Sequence, residues 1–135
     1  VPAMAFFHMP PAEFKEAYEK MKLGDHTVIY EHGSIGEKDE YFGISNRPPH
    51  FFEKAVDNGW LKWIFCGHDH LNTLSLTYKG IRMTYGMSID YLGYSGIAKQ
   101  YIQRGATLIT RKTNGNMDIT MVPLTTVVST RVRGA

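Results

Sequence analysis

The spacing of apolar residues changes several times along this sequence, and each change marks an element. Ala3–Phe7 is an unbroken apolar run, which predicts a strand buried on both faces. It stops at His8-Met9-Pro10-Pro11, a loop signal. From residue 11 or 12 to residue 22 the period becomes helical, with Phe14, Tyr18 and Met21 at i, i+4 and i+7. Pro11 suits the first turn, Glu13 favours the positive end of the dipole, and Gly24 suits the position just past the end. Residues 27–30 read as a short strand, and 31–46 as a long loop with Gly33, Gly36 and Gly43. A loop of that length in a compact domain is often functional.

A second helix is predicted over residues 48–58, with Phe51, Phe52, Ala55 and Val56 as its apolar side and Gly59 closing it. Residues 60–66 form a second buried-looking strand that breaks at Gly67. Residues 72–78 and 81–85 predict a hairpin around Lys79-Gly80, and 106–113 with 117–124 a second across Asn114-Gly115. Between the hairpins, residues 86–105 read as loop. The order is β-α-loop-α-β followed by hairpins, an α/β pattern without internal repeats.

Composition narrows this picture. The 135 residues suit one domain, and 43% hydrophobic content excludes disorder as the main state. No run of 18 apolar residues is present, as a transmembrane helix would need. Cys66 is the single cysteine, which excludes a disulfide framework and reads as an inert core thiol. A net charge of +2 gives no nucleic-acid or membrane signal, and residues 125–135, with Arg131 and Arg133, read as a solvated basic tail. The sequence opens on Val1 and enters an interior-type strand at once, so it is expected to be part of a longer chain.

The candidate chemistry lies in the histidines. Gly67-His68-Asp69-His70 follows a buried strand directly, and strand C-termini in α/β folds are where sites assemble. Two imidazoles two residues apart on a turn can bind one metal or reach two adjacent ones. A solvated loop is the plain alternative. His8 has the same placement after the first strand. If the two strands are neighbours in one parallel sheet, His8, His68 and His70 converge at one edge, enough for a single zinc. A two-metal site also needs a bridging carboxylate, and none of Asp25, Asp39, Asp57, Asp69, Asp90 or Asp118 is clearly placed for that. His26, His32 and His50 read as surface or loop histidines. Tyr91 and Tyr94 sit in a loop that either lines a substrate mouth or packs onto the sheet.

The ordered set Phe6-Phe7-His8-Met9-Pro10, Gly67-His68-Asp69-His70-Leu71-Asn72, Tyr85-Gly86 and Arg104-Gly105-Ala106 resembles the C-terminal half of calcineurin-like metallophosphoesterases. The subgroup is the purple-acid-phosphatase-like, single-domain type, and the resemblance covers residues 2–124. It implies the second half of a two-sheet sandwich flanked by helices. It also implies phosphoester hydrolysis by a hydroxide held on two metal ions, so that no protein nucleophile is needed. His8 and His68 resemble ligands of one metal, and His70 a ligand of its partner. Nitrogen and oxygen ligands suit Fe, Zn and Mn alike. Asn46 and Asn72 resemble family asparagines and read as backbone-bonding turn residues.

The family's DxH, GDxxD and GNH(D/E) motifs are absent from this sequence. The resemblance places them in an N-terminal segment of the same domain. Without them the chain alone is expected to be inactive. The phosphate ester substrate and that segment are the implied partners. Two rival readings stay open: a mononuclear three-histidine zinc protein, and a truncated non-catalytic binding domain.

Overall fold

In a computed structural model, residues 2–45, 50–100 and 102–124 are described. Among these residues the strands are β1 (Ala3–Phe7), β2 (Ile29–His32), β3 (Leu61–Cys66), β4 (Ser75–Tyr78), β5 (Ile81–Tyr85), β6 (Gly105–Arg111) and β7 (Met117–Pro123). The helices are α1 (Ala12–Lys22) and α2 (His50–Asn58), with short 3-10 turns at Lys38–Glu40 and Ile97–Lys99. The fold is mixed α/β, as the sequence pattern implies. Asn46 and the basic tail of residues 125–135 fall outside the described residues. The chain forms two compact units, dividing after Gly86.

The first unit is a five-stranded mixed sheet in the order β1-β3-β5-β4-β2. β1, β3 and β5 run parallel, and β4 pairs antiparallel with both β5 and β2. Strand period explains its two faces. Ile81, Met83 and Tyr85 of β5 and Leu76 and Tyr78 of β4 are buried in the core with Phe14 and Ala17 of α1 and Phe52 and Ala55 of α2. The alternate residues carry polar chemistry: the Ser75 and Thr84 hydroxyls meet at 2.7 Å, and Arg82 Nε donates to Ser75 Oγ at 3.0 Å. Helix α1 buries Phe14 and Ala17 completely, each at 0% exposure. Burying a phenylalanine in this way is worth about 2–3 kcal/mol.

One expectation fails. β1 is not buried on both faces: it lies at the edge of the sheet, and Met4 and Phe6, at its alternate positions, are 39% and 63% exposed. Ala3 and Ala5 pack toward the core, but Phe6 is 63% exposed and stacks on Phe65 at 5.1 Å. A continuous apolar run reports that a strand could be buried on both faces, not that this chain supplies both covers.

In the second unit β6 and β7 form the expected antiparallel hairpin, with Gly115 in the turn at φ 87°. Arg104, 1% exposed, donates to the carbonyls of Asp90, Ile97 and Ile102 and sits 4.8 Å from the Tyr91 ring centroid. A buried guanidinium with five donors thus gathers the backbone oxygens of Asp90, Ile97 and Ile102 around it.

His32 departs from the surface reading. It lies half-buried on β2, its Nδ1 3.4 Å from Arg82 Nη2, and its Nε2 is buried without a hydrogen-bond partner in the described structure. Burial, then the Arg82 charge, lowers its pKa below the ordinary 6.5, with Glu31 opposing. The folded state therefore binds a proton at His32 less readily than the unfolded chain. The neutral ring costs nothing above the unfolded pKa, and stability is lost as pH falls below it toward the folded value. A His32→Gln variant lacks this loss. The difference in thermal midpoint between parent and variant should shift in the variant's favour from about pH 7.5 to about pH 5. A pH-independent difference would contradict the assignment.

Candidate functional site

The site is built by strand register. Phe7 of β1 pairs with Cys66 of β3, so His8 and Gly67 leave the sheet side by side. The ladder continues one step beyond both strands, with the Gly67 N–H donating to the His8 carbonyl at 3.0 Å. On β3's other side the Gly86 N–H donates to the Cys66 carbonyl at 2.9 Å. The rings of His8 and His68 stack at a centroid distance of 5.2 Å, with 18° between their planes. His8 is exposed and His68 half-buried.

His68 is in the left-handed region, at φ 69°, which a non-glycine residue rarely adopts, which costs about 1–3 kcal/mol and which persists only where the surroundings hold it. Asp69 is what fixes them. It is 5% exposed, and its Oδ2 accepts from the Tyr85 hydroxyl at 2.6 Å and from the Gly43 N–H at 2.9 Å. Desolvation, then the hydrogen bond to Asp69, pushes the Tyr85 hydroxyl well above its ordinary pKa of 10, so it stays a donor. Gly43 is required by space. A Cβ there would lie 2.6 Å from His68 Cδ2 and 2.8 Å from both His68 Nε2 and Asp69 Oδ1.

Asn72, 0% exposed, ties the long loop to this turn. Its Oδ1 accepts from the N–H groups of Gly36 and Glu37 at 3.0 and 3.1 Å, and its Nδ2 donates to the Tyr41 carbonyl at 3.0 Å. Glu37 returns the bond by accepting from the Leu71 N–H at 3.0 Å. The expected backbone-bonding role of Asn72 is thus observed. Cys66 is buried, and burial raises its thiol pKa far above the ordinary range, leaving an unreactive core residue.

The structure brings together two of the three candidate histidines. His70 is half-buried on the same turn, two residues past His68. Among the described residues no group of three or more His, Cys, Asp or Glu side chains lies close enough to hold a metal ion. The carboxylate nearest in sequence, Asp69, faces inward to Tyr85 and Gly43. Two imidazoles without a bridging carboxylate do not fit a two-metal centre by themselves. His26 and His50 are exposed at other places in the chain. Tyr91 lies in the second unit, engaged by Arg104, and Tyr94 three residues on is 44% exposed.

Sequence reasoning missed Asp69, Tyr85 and Gly43 as a unit. The bonds join residues 16 and 26 positions apart, and no local pattern signals them.

Comparison with known proteins gives partial similarity. Over 93 residues, 69% of its length, the chain is 28% identical to an Arabidopsis thaliana protein named probable inactive purple acid phosphatase 29. Over 93 residues it is 32% identical to probable inactive purple acid phosphatase 28 of the same plant, and over 47 residues 38% identical to probable inactive purple acid phosphatase 14. The matches cover 21%, 20% and 12% of those proteins, so the chain spans about a fifth of the length of the first two. No family model and no solved structure matches the chain.

Two substitutions test the turn. Tyr85→Phe removes the hydroxyl from a buried carboxylate and should cost about 1.5–3 kcal/mol in urea unfolding. Gly43→Ala should leave the chain folded but part the two rings, abolishing nuclear Overhauser contacts between His8 and His68. Full stability in the first, or intact ring contacts in the second, would contradict the geometry.

Proposed function

We propose that this chain is the later part of a purple-acid-phosphatase-like metallophosphoesterase domain, and that the completed domain hydrolyses phosphate esters. The observation that carries the reading is the pair of stacked imidazoles, His8 and His68, at the C-terminal ends of two adjacent parallel strands. The partial similarity to proteins named purple acid phosphatases supports the same class.

In this reading His8, His68 and His70 supply nitrogen ligands to a two-metal centre of Fe, Zn or Mn. When bound, such a centre supplies Lewis-acid activation of water and neutralises charge on the phosphoryl oxygens. The carboxylates it needs come from polypeptide outside these 135 residues. β1 is the edge strand of its sheet and leaves Met4 39% and Phe6 63% exposed, which suits further polypeptide of the same domain covering that face. What this chain's own residues do is hold the ligands. Asp69 and Tyr85 set the His68 backbone, and the parallel register sets His8 beside it.

A second reading has its own support. The relatives are named probable inactive, and no three-donor cluster exists among the described residues. A domain that binds a phosphate ester without turning it over fits both facts.

The test is hydrolysis of p-nitrophenyl phosphate with added Fe, Zn or Mn, and metal content measured alongside. The 135-residue chain alone should be inactive, and joining it to the polypeptide that carries the remaining ligands should restore turnover. In that active form His68→Ala should lose at least about 10–100-fold, while His26→Ala and His50→Ala stay near the parent. Metal binding without turnover in the joined form would select the non-catalytic reading. Robust metal-dependent turnover by the chain alone would overturn the proposal in favour of a mononuclear histidine site.

A further inference from the structure

His32 ends an edge strand, and its surroundings accept the ring in one protonation state. Its Nδ1 lies 3.4 Å from Nη2 of Arg82. A guanidinium only donates, so Nδ1 accepts and the ring proton sits on Nε2. That Nε2 is buried and, among the described residues, has no hydrogen-bond partner. A second proton would go to Nδ1 and set donor against donor, and charge against charge, across the Arg82 contact. Arg82 is held where it is: its Nε donates to Ser75 Oγ at 3.0 Å, and its side chain is 17% exposed. The charged groups that act on the ring are Arg82 from β5 and Glu31 from its own strand. β4 sets Ser75, which does not titrate, opposite His32. Glu31 is already engaged, by the Thr77 hydroxyl at 2.7 Å and by Arg82 Nη1 at 3.7 Å. An imidazolium is therefore not accommodated in place, and the ring has to leave.

β2 is the strand that can follow it. It has four residues, lies at the edge of the sheet, and pairs with β4 through a register irregularity between Tyr30 and His32. Ile29 and Tyr30 are 56% and 55% exposed, so parting β2 from β4 uncovers little apolar surface. Both ends of such an opening are fixed. Val28 before it is buried in the core. After it, the Thr73 N–H donates to the Ser34 carbonyl at 2.8 Å, and Asn72 holds Gly36 and Glu37. Gly33 is seated so closely that a Cβ there would lie 2.0 Å from the Thr73 carbonyl oxygen.

We propose that β2 is a latch that acid releases: protonation of His32 parts residues 29–32 from β4, while β1, β3, β5 and β4 stay paired. The result is a sheet edge that is closed at neutral pH and bare in acid, with the backbone donors and acceptors of Ser75–Thr77 turned out. The device is independent of the phosphoester reading.

The test is residue-by-residue amide hydrogen exchange of the chain at about pH 7.5 and about pH 5, with each rate compared with the intrinsic rate at that pH. The β2 amides paired with β4 should be at least about tenfold less protected than those of Met83–Tyr85 at both pH values, as a separately opening strand requires. Their protection should fall at least about fivefold in acid, and by no more than about thirtyfold, the ceiling for one imidazole of ordinary pKa 6.5. His32→Gln and His32→Asn, neutral at both pH values, should each show no such fall. Equal protection in β2 and β5 at pH 5 would mean that β2 opens only with the whole sheet and would overturn the proposal. So would unchanged β2 protection in acid, or the same fall in either variant.

Discussion

Everything at this site depends on one pairing, the parallel ladder between β1 and β3 in the register that sets Phe7 beside Cys66. Residues 8 and 67 are far apart in the chain, and only this register brings them level. A slip of one residue would turn β1's side chains to the opposite faces and move His8 away from the turn. The ladder's last bond, from the Gly67 N–H to the His8 carbonyl, lies within the site itself. Strand pairing and the placement of the two imidazoles are therefore the same interaction.

A second layer of constraint comes from the buried Asp69. A carboxylate in a low-dielectric interior is tolerated only when it is fully hydrogen-bonded. Here the Tyr85 hydroxyl and the Gly43 N–H both donate to Oδ2, and in doing so they join β5, the long loop and the histidine turn. The left-handed His68 is held by this clamp and by the space that Gly43 leaves open. The strain at His68 is thus stored where the ring must be aimed, the pattern expected of a functional turn.

Much of this was legible in the sequence. The helical period of Phe14, Tyr18 and Met21, the two hairpins, and the placement of His8 and His68 after strands all follow from local spacing, and the structure has them. The bonds of Asn72 suit a residue type that favours turns. What local spacing could not carry was anything set by a partner far along the chain. Phe6 reads as core because its run is apolar, yet its burial depends on what covers that face of the sheet. His32 reads as a loop residue, yet β2 pairing brings it beside Arg82. Asp69 reads as one acid among several, and its meaning comes from Tyr85 and Gly43. Convergence of all three histidines was expected; the structure stacks His8 on His68, and among the described residues no group of three or more His, Cys, Asp or Glu lies close enough to hold a metal ion.

The most direct test of the central claim is anomalous diffraction at the metal edge from crystals of the chain joined to the polypeptide that carries the remaining ligands, grown with Zn or Mn. The expected result is an anomalous peak about 2.0–2.2 Å from a ring nitrogen of both His8 and His68. A metal bound at His26, His32 or His50 with the His8–His68 pair bare would contradict it.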